Sequence, residues 1–167
     1  MKKIIFTLIT LCFALNSFAQ EHLTFKGIPI EGSLSSFCQK LKSKGLTHMG
    51  TDQNVTFFTG DFTGRNATIC VVAGDNGKDV FSVVVFDTSG EWNTLINTYN
   101  YYKDLYTRKY GEPKVSLEKN PSRSDSNISL MAEVHQGTVT WASAWEVTGG
   151  NIEISIEKYS GVYEGLS

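Results

Sequence analysis

The sequence predicts an α+β fold: an antiparallel β-sheet with two helices packed on it, in which a helix followed by about three strands occurs twice. Two stretches carry apolar residues at helical spacing. Six runs have strand length and composition, and short glycine-containing turns join several of them tightly enough to make antiparallel neighbours. No residue-level repeat links the halves, so the duplication rests on element order alone.

A short strand around Leu23–Phe25 and a Gly/Pro turn come first. Ser33 then caps a helix with Leu34, Phe37, Cys38 and Leu41 at i, i+3, i+4 and i+7, and Gly45 ends it. Strands follow at "NVTFFTGDF", "NATICVVAG" and "VFSVVVFD". The Thr63-Gly64 turn pairs Phe57 with Cys70 and Val55 with Val72. Setting Ala73 opposite Val80 adds Phe81, Val83 and Val85 to that face, which is the more apolar one. The other face mixes Phe58, Ile69, Val71, Val84 and Phe86 with Thr56 and Ser82. A long helix opens with Thr88 and Glu91 at capping-box spacing. Trp92, Leu95, Ile96, Tyr99, Tyr102, Tyr106 and Tyr110 share its inward face, and Gly111 and Pro113 stop it. Tyr101 lies off that stripe and should be exposed. Lys114–Leu117 forms a short strand, "EKNPSRSDSN" is a polar connection, and "ISLMAEVH", "TVTWASAWEV" and "NIEISIEKY" are the last three strands.

Turn chemistry assigns Trp141 and Trp145 to the core. A Gly149-Gly150 loop sets Val147 opposite Ile152, Trp145 opposite Ile154, Ser143 opposite Ile156 and Trp141 opposite Lys158. A Gln136-Gly137 loop sets Val134 opposite Val139, Ala132 opposite Trp141, Leu130 opposite Ser143 and Ile128 opposite Trp145. Both turns put the indoles among apolar partners. The opposite, polar face faces solvent, with Glu146 across from Glu153 and Glu157 across from Ala142.

The first nineteen residues read as a secretory signal: Lys2 and Lys3, an apolar run over Ile4–Leu15, and a cut after Ala19. That run is too short to span a bilayer, and Cys12 sits inside it after Leu11, the wrong place for lipid attachment. Residues 20–167 then form one domain of 148 residues, exported to the periplasm or beyond. Its 13 basic and 17 acidic residues form no basic stripe, which argues against nucleic acid and anionic membrane as partners, and no second long apolar run follows that could insert into a membrane. Two cysteines remain, Cys38 and Cys70. In an oxidising compartment they form a candidate disulfide, and two buried thiols that never touch fit equally well.

"FKGIPIEGSLSSFCQKLKSKGL", the later "YYKDLYTRKYGEP" and a signal ending in "FAQ" together resemble small exported proteins of the Bacteroides–Prevotella group. Those proteins share an "FKGIPI" opening, an amphipathic helix ending in Gly and a "KYG-P" helix stop. The resemblance implies export and this order of elements. It carries no activity, cofactor or catalytic residue.

Spacing gives little catalytic chemistry. His22, His48 and His135 are far apart, "DNGKD" lacks the remaining ligands of a calcium loop, and no nucleophile elbow or phosphate loop occurs. No catalytic residue, metal site or cofactor is assigned. Glu133 and His135 beside Thr138 and Thr140 mimic a hydroxyl–imidazole–carboxylate set, but an open sheet face gives such a set no water-excluding pocket. The expected function is an exported, non-enzymatic binding or interaction module for a protein or cell-surface component. Partner contacts are placed at Met131, Glu133, Glu146, Glu153, Glu157 and Tyr159, on the outer face of the final strands. The alternatives are a small hydrolase or transferase with a site assembled from distant residues, and a periplasmic folding or envelope-assembly accessory.

Overall fold

A computed structural model describes residues 22–86, 91–118 and 127–157. The signal segment, Thr88, most of "EKNPSRSDSN", Lys158 and Tyr159 lie outside these residues. β1 (Thr24–Phe25) and β2 (Ile28–Pro29) pair through a two-residue turn in which Lys26 and Gly27 both have positive φ. The first helix, α1 (Leu34–Ser43), starts as expected, since Ser33 Oγ accepts from Ser36 N at 3.3 Å. It also ends as expected. Gly45 N donates to the Lys42 carbonyl and Leu46 N to the Leu41 carbonyl, a Schellman closure in which both leucines are buried.

The first large sheet runs β3 (Thr47–Asp52), β4 (Val55–Phe62), β5 (Arg65–Ala73), β6 (Val80–Phe86), all antiparallel. Thr63 and Gly64, both at positive φ, make the β4–β5 turn, and Phe57 faces Cys70 as predicted. Ala73 faces Val80 as predicted too, but the next step differs. The ladder shifts by one residue between Val72 and Ala73, so Val83 faces Val71 and Val85 faces Ile69. A one-residue slip turns a strand over. The face that receives α1 is therefore Phe58, Ile69 and Val71 with Val83 and Val85, packed on Phe37, Leu41, Leu46, Phe25 and Ile28. Cys70 points the other way and Cys38 lies on the α1 side. The two cysteines are not bonded to each other, so the candidate disulfide is not formed.

The second helix, α2 (Trp92–Tyr110), begins at Glu91. Glu91 is itself the N-cap residue, so it does not close a capping box from the third position of the first turn. Gly111, at φ 85°, donates to the Thr107 carbonyl and ends the helix. The second sheet is β7 (Val115–Leu117), β8 (Trp141–Val147), β9 (Gly150–Ile156). Its last turn is Thr148-Gly149, so Trp145 faces Ile152 and Trp141 faces Ile156. The predicted pairing is off by two residues, which keeps every side chain on its face. The indoles remain core, with Trp145 only 2% exposed.

"ISLMAEVH" is the main departure. Residues Asn127–His135 form a helix, α3, where a strand was expected. Gly137, at φ 71°, closes that helix by donating to the Val134 carbonyl, and so does not make a hairpin. The order within the halves is therefore α1 and four strands, then α2, β7, α3, β8 and β9. The architecture is α+β, with antiparallel sheets throughout.

The second core gathers Trp92, Tyr99, Val134, Val139 and Ile156, with Trp141 edge-on to Trp92 at 5.5 Å. Contacts from α2 also reach the first sheet. Tyr102 Oη is 2.9 Å from Thr63 Oγ1, Arg65 donates to Thr98 Oγ1 at 2.8 Å, and the Phe62 and Tyr102 rings lie 5.7 Å apart. No described helix is long and apolar enough to cross a membrane.

Candidate binding cleft

Beside α1 lies an open cleft of about 330 Å³. Its walls come from three places: the α1 residues Ser35, Cys38 and Lys42, the β3–β4 residues His48, Thr51 and Thr56, and the β5–β6 loop at Gly77 and Lys78. Cys38 and Lys42 are one helical turn apart on the same side of α1. His48 and Thr51 are three residues apart, a spacing that puts strand side chains on opposite faces. Here the ladder shifts between His48 and Gly50. Met49 is the extra residue and is 58% exposed. The bulge brings His48 onto the same side as Thr51, and Thr51 Oγ1 lies 3.5 Å from His48 Nε2 and donates to Thr56 Oγ1 at 3.3 Å. The His48 ring meets the buried Phe58 edge-on at 5.4 Å.

Lys78 is held by its loop. Asn76 Oδ1 accepts from Lys78 N at 2.8 Å and Asp79 N at 3.1 Å, while Asn76 Nδ2 donates to Asp79 Oδ2. The Lys78 carbonyl accepts from Leu34 N at 2.7 Å, which ties the loop to the first turn of α1. Among the described residues no carboxylate lines the cleft, and neither Lys42 nor Lys78 has an ion-pair partner. Burial pushes the Cys38 thiol up in pKa, partly offset by a hydrogen bond with Thr56 and by the Lys42 ammonium. A thiol in that state is protonated at neutral pH and is a poor nucleophile.

The described residues among those expected to bind a partner do not share one surface. Glu146 and Glu153 share a shallow hollow of about 230 Å³ with Lys114 and Ala144 on the outer face of the second sheet. Glu146 faces Asn151 and Glu153 faces Ala144, so the predicted Glu146–Glu153 opposition is absent; Glu146 pairs with Lys114. Ala142 faces Ser155 and not Glu157, which is exposed just past β9. Met131 and Glu133 lie on α3, with Met131 exposed and Glu133 buried, so neither belongs to that sheet face. Exposed Val115 and Leu117 on β7 lie instead beside Ala144 and Ala142.

One further polar cluster has the residue types of a catalytic array. Tyr99 Oη is 2.7 Å from Ser143 Oγ and donates to Glu118 Oε1 at 3.1 Å, and Lys103 pairs with the same oxygen. Ser143 is fully buried, so no substrate reaches it, and the cluster serves to fasten α2 to the second sheet. Burial drives the Tyr99 phenol up to about 12, with Ser143 opposing and Glu118 adding to the rise. Burial also works against the Glu118 carboxylate, but hydrogen bonds from Lys103 and Tyr99 outweigh it and its pKa is lowered. No set of three or more His, Cys, Asp or Glu among the described residues is placed to hold a metal ion.

No family model matches this chain, and no curated protein or solved structure is significantly similar to it.

Proposed function

We propose that this chain is an exported binding module that holds a small ligand in the cleft between α1 and the β3–β4 hairpin. The convergence of Lys42, Lys78, His48, Thr51 and Thr56 from separate segments supports this reading. Ligand pockets are typically roughly 300–1,000 Å³ with a few placed polar groups, and this cleft lies at the small end of that range. A binding role is favoured over a thiol enzyme because the Cys38 thiol stays protonated.

An amide-resolved NMR screen of small fragments, mixed in charge and polarity, tests the site. Shifts should gather at Ser35, His48, Thr51 and Lys78. Hits that gather on the Val115–Ala144 face would replace the cleft by that surface, and no hits at all would end the reading. Export is tested separately: mass spectrometry of secreted or periplasmic material should give Gln20 as the N-terminus.

A second surface also has support. Val115 is 46% exposed and Leu117 52%, side by side on an edge strand, which is the kind of apolar anchor a protein partner uses.

A further inference from the structure

We infer that the ligand of this cleft is a small organic anion: one carboxylate, phosphate or sulfate group on a compact body. The inference rests on the cleft being the binding site and adds the chemical class of its occupant. The mature chain is acidic overall, at 13 basic against 17 acidic residues, yet the cleft collects cations.

Lys42 from the helix and Lys78 from the β5–β6 loop both line the cleft. Neither charge is neutralised by a described carboxylate. Asp79, next to Lys78 in the loop, accepts a hydrogen bond from the Asn76 amide and forms no ion pair with either lysine. Two lysines that line one hollow without an ion-pair partner would gain from an anion held between them, which would take up two charge-assisted hydrogen bonds. Ser35 adds an exposed hydroxyl donor, whereas the Thr51 hydroxyl already gives its proton to Thr56.

The floor has a different character. Leu34 and the Cys38 thiol are partly buried and belong to the rim of the first apolar core. A ligand with its anionic group toward the lysines can thus lay an apolar body on Leu34 and Cys38. A hollow of about 330 Å³ takes a compact molecule and not a polymer segment.

The test uses the full mature chain and three probes: benzoate, benzyl alcohol as its neutral counterpart, and inorganic phosphate. Benzoate should shift the amides of Ser35, Thr51 and Lys78, phosphate should compete with it, and benzyl alcohol should bind at least tenfold more weakly. The double variant Lys42→Gln with Lys78→Gln should lose at least tenfold in benzoate affinity while keeping its melting temperature, and Lys78→Arg should retain binding. Raising the salt concentration should weaken benzoate and leave benzyl alcohol unchanged.

Equal binding of benzyl alcohol, or full benzoate affinity in the double variant, would overturn the anion inference and leave the cleft as the site. Benzoate shifts confined to other surfaces would overturn both. If the double variant proves unstable, the same comparison is made with Lys78→Gln alone against Lys78→Arg. Equal affinity in that pair also overturns the inference.

Discussion

Replacing Trp145 by Ala tests the core assignment most directly. The indole is 2% exposed, its ring lies 5.7 Å from that of Tyr106, and its Nε1 donates to the Gly111 carbonyl at 2.9 Å. Gly111 is the residue that ends α2, so one side chain fastens the helix terminus to the middle of the second sheet. Truncating a buried Trp costs about 3–5 kcal/mol. A domain of this size is typically stable by about 5–15 kcal/mol, so the variant should lose at least about a fifth of its margin. At roughly 2–4 °C per kcal/mol, melting should fall by on the order of 10 °C. Trp145→Phe separates the two contributions. It keeps a ring against Tyr106 and removes only the hydrogen bond and part of the volume, so it should cost about 1–2 kcal/mol. Urea unfolding followed by far-ultraviolet circular dichroism measures both. If Trp145→Ala lowers the melting temperature by less than about 3 °C, or if Phe and Ala cost the same, the packing of β8 on α2 is not as described.

Four further outcomes are expected. Because the folded-state pKa of Glu118 is lowered, its contribution is present above the ordinary carboxylate range and fades as pH falls through it. Glu118→Gln should therefore flatten the stability loss below about pH 4. The Tyr99 phenol, raised to about 12, contributes below about pH 10 and loses that contribution as pH climbs toward 12. Tyr99→Phe should blunt the alkaline loss in the same melts. Gly60→Ala should destabilise by about 1–3 kcal/mol, because the new methyl would lie 2.5 Å from the buried Leu46 Cδ2; an unchanged melting temperature would mean that the β4–Leu46 packing is looser than described. Non-reducing peptide mapping should yield no Cys38–Cys70 linked peptide, since the two lie on opposite sides of the first sheet. Such a peptide would refute the face assignment of β5.

The sequence carried the fold where local chemistry was unambiguous. The Ser33 cap, the Gly45 stop and the Thr63-Gly64 turn each fix a boundary or a register by themselves. It misled where one pattern suits two structures. Ile128, Leu130, Ala132 and Val134 alternate like a strand, but Leu130 and Val134 are also one helical turn apart. Gly137 at positive φ serves a helix end as readily as a hairpin. β3 was missed because "THMGTD" is poor in strand formers and sits at a sheet edge. The one-residue shift at Ala73 has no signature in composition, and it alone moved Val83 and Val85 to the α1 side. The cleft could not be read at all. Its residues span Leu34 to Lys78 and are joined by a bulge at Met49, and the sole hint was the basic run Lys40, Lys42, Lys44.

The two buried clusters share no residue, and the links to α2 at Thr63, Arg65 and Phe62 lie at exposed or half-buried positions. A net hydrogen bond is worth about 1 kcal/mol, far less than opening either core. On these contacts the two cores should open as separate cooperative units, with the Thr98–Tyr102 turn of α2 as their seam. Hydrogen exchange would sort the amides into a β3–β6 group and a β7–β9 group with different opening energies. An occupant of the cleft binds only the first unit, and mass action stabilises only what it binds. Occupancy would then slow exchange in β3, β4 and α1 and leave β8 and β9 at their original rates, so the seam would mark how far the effect of a ligand travels.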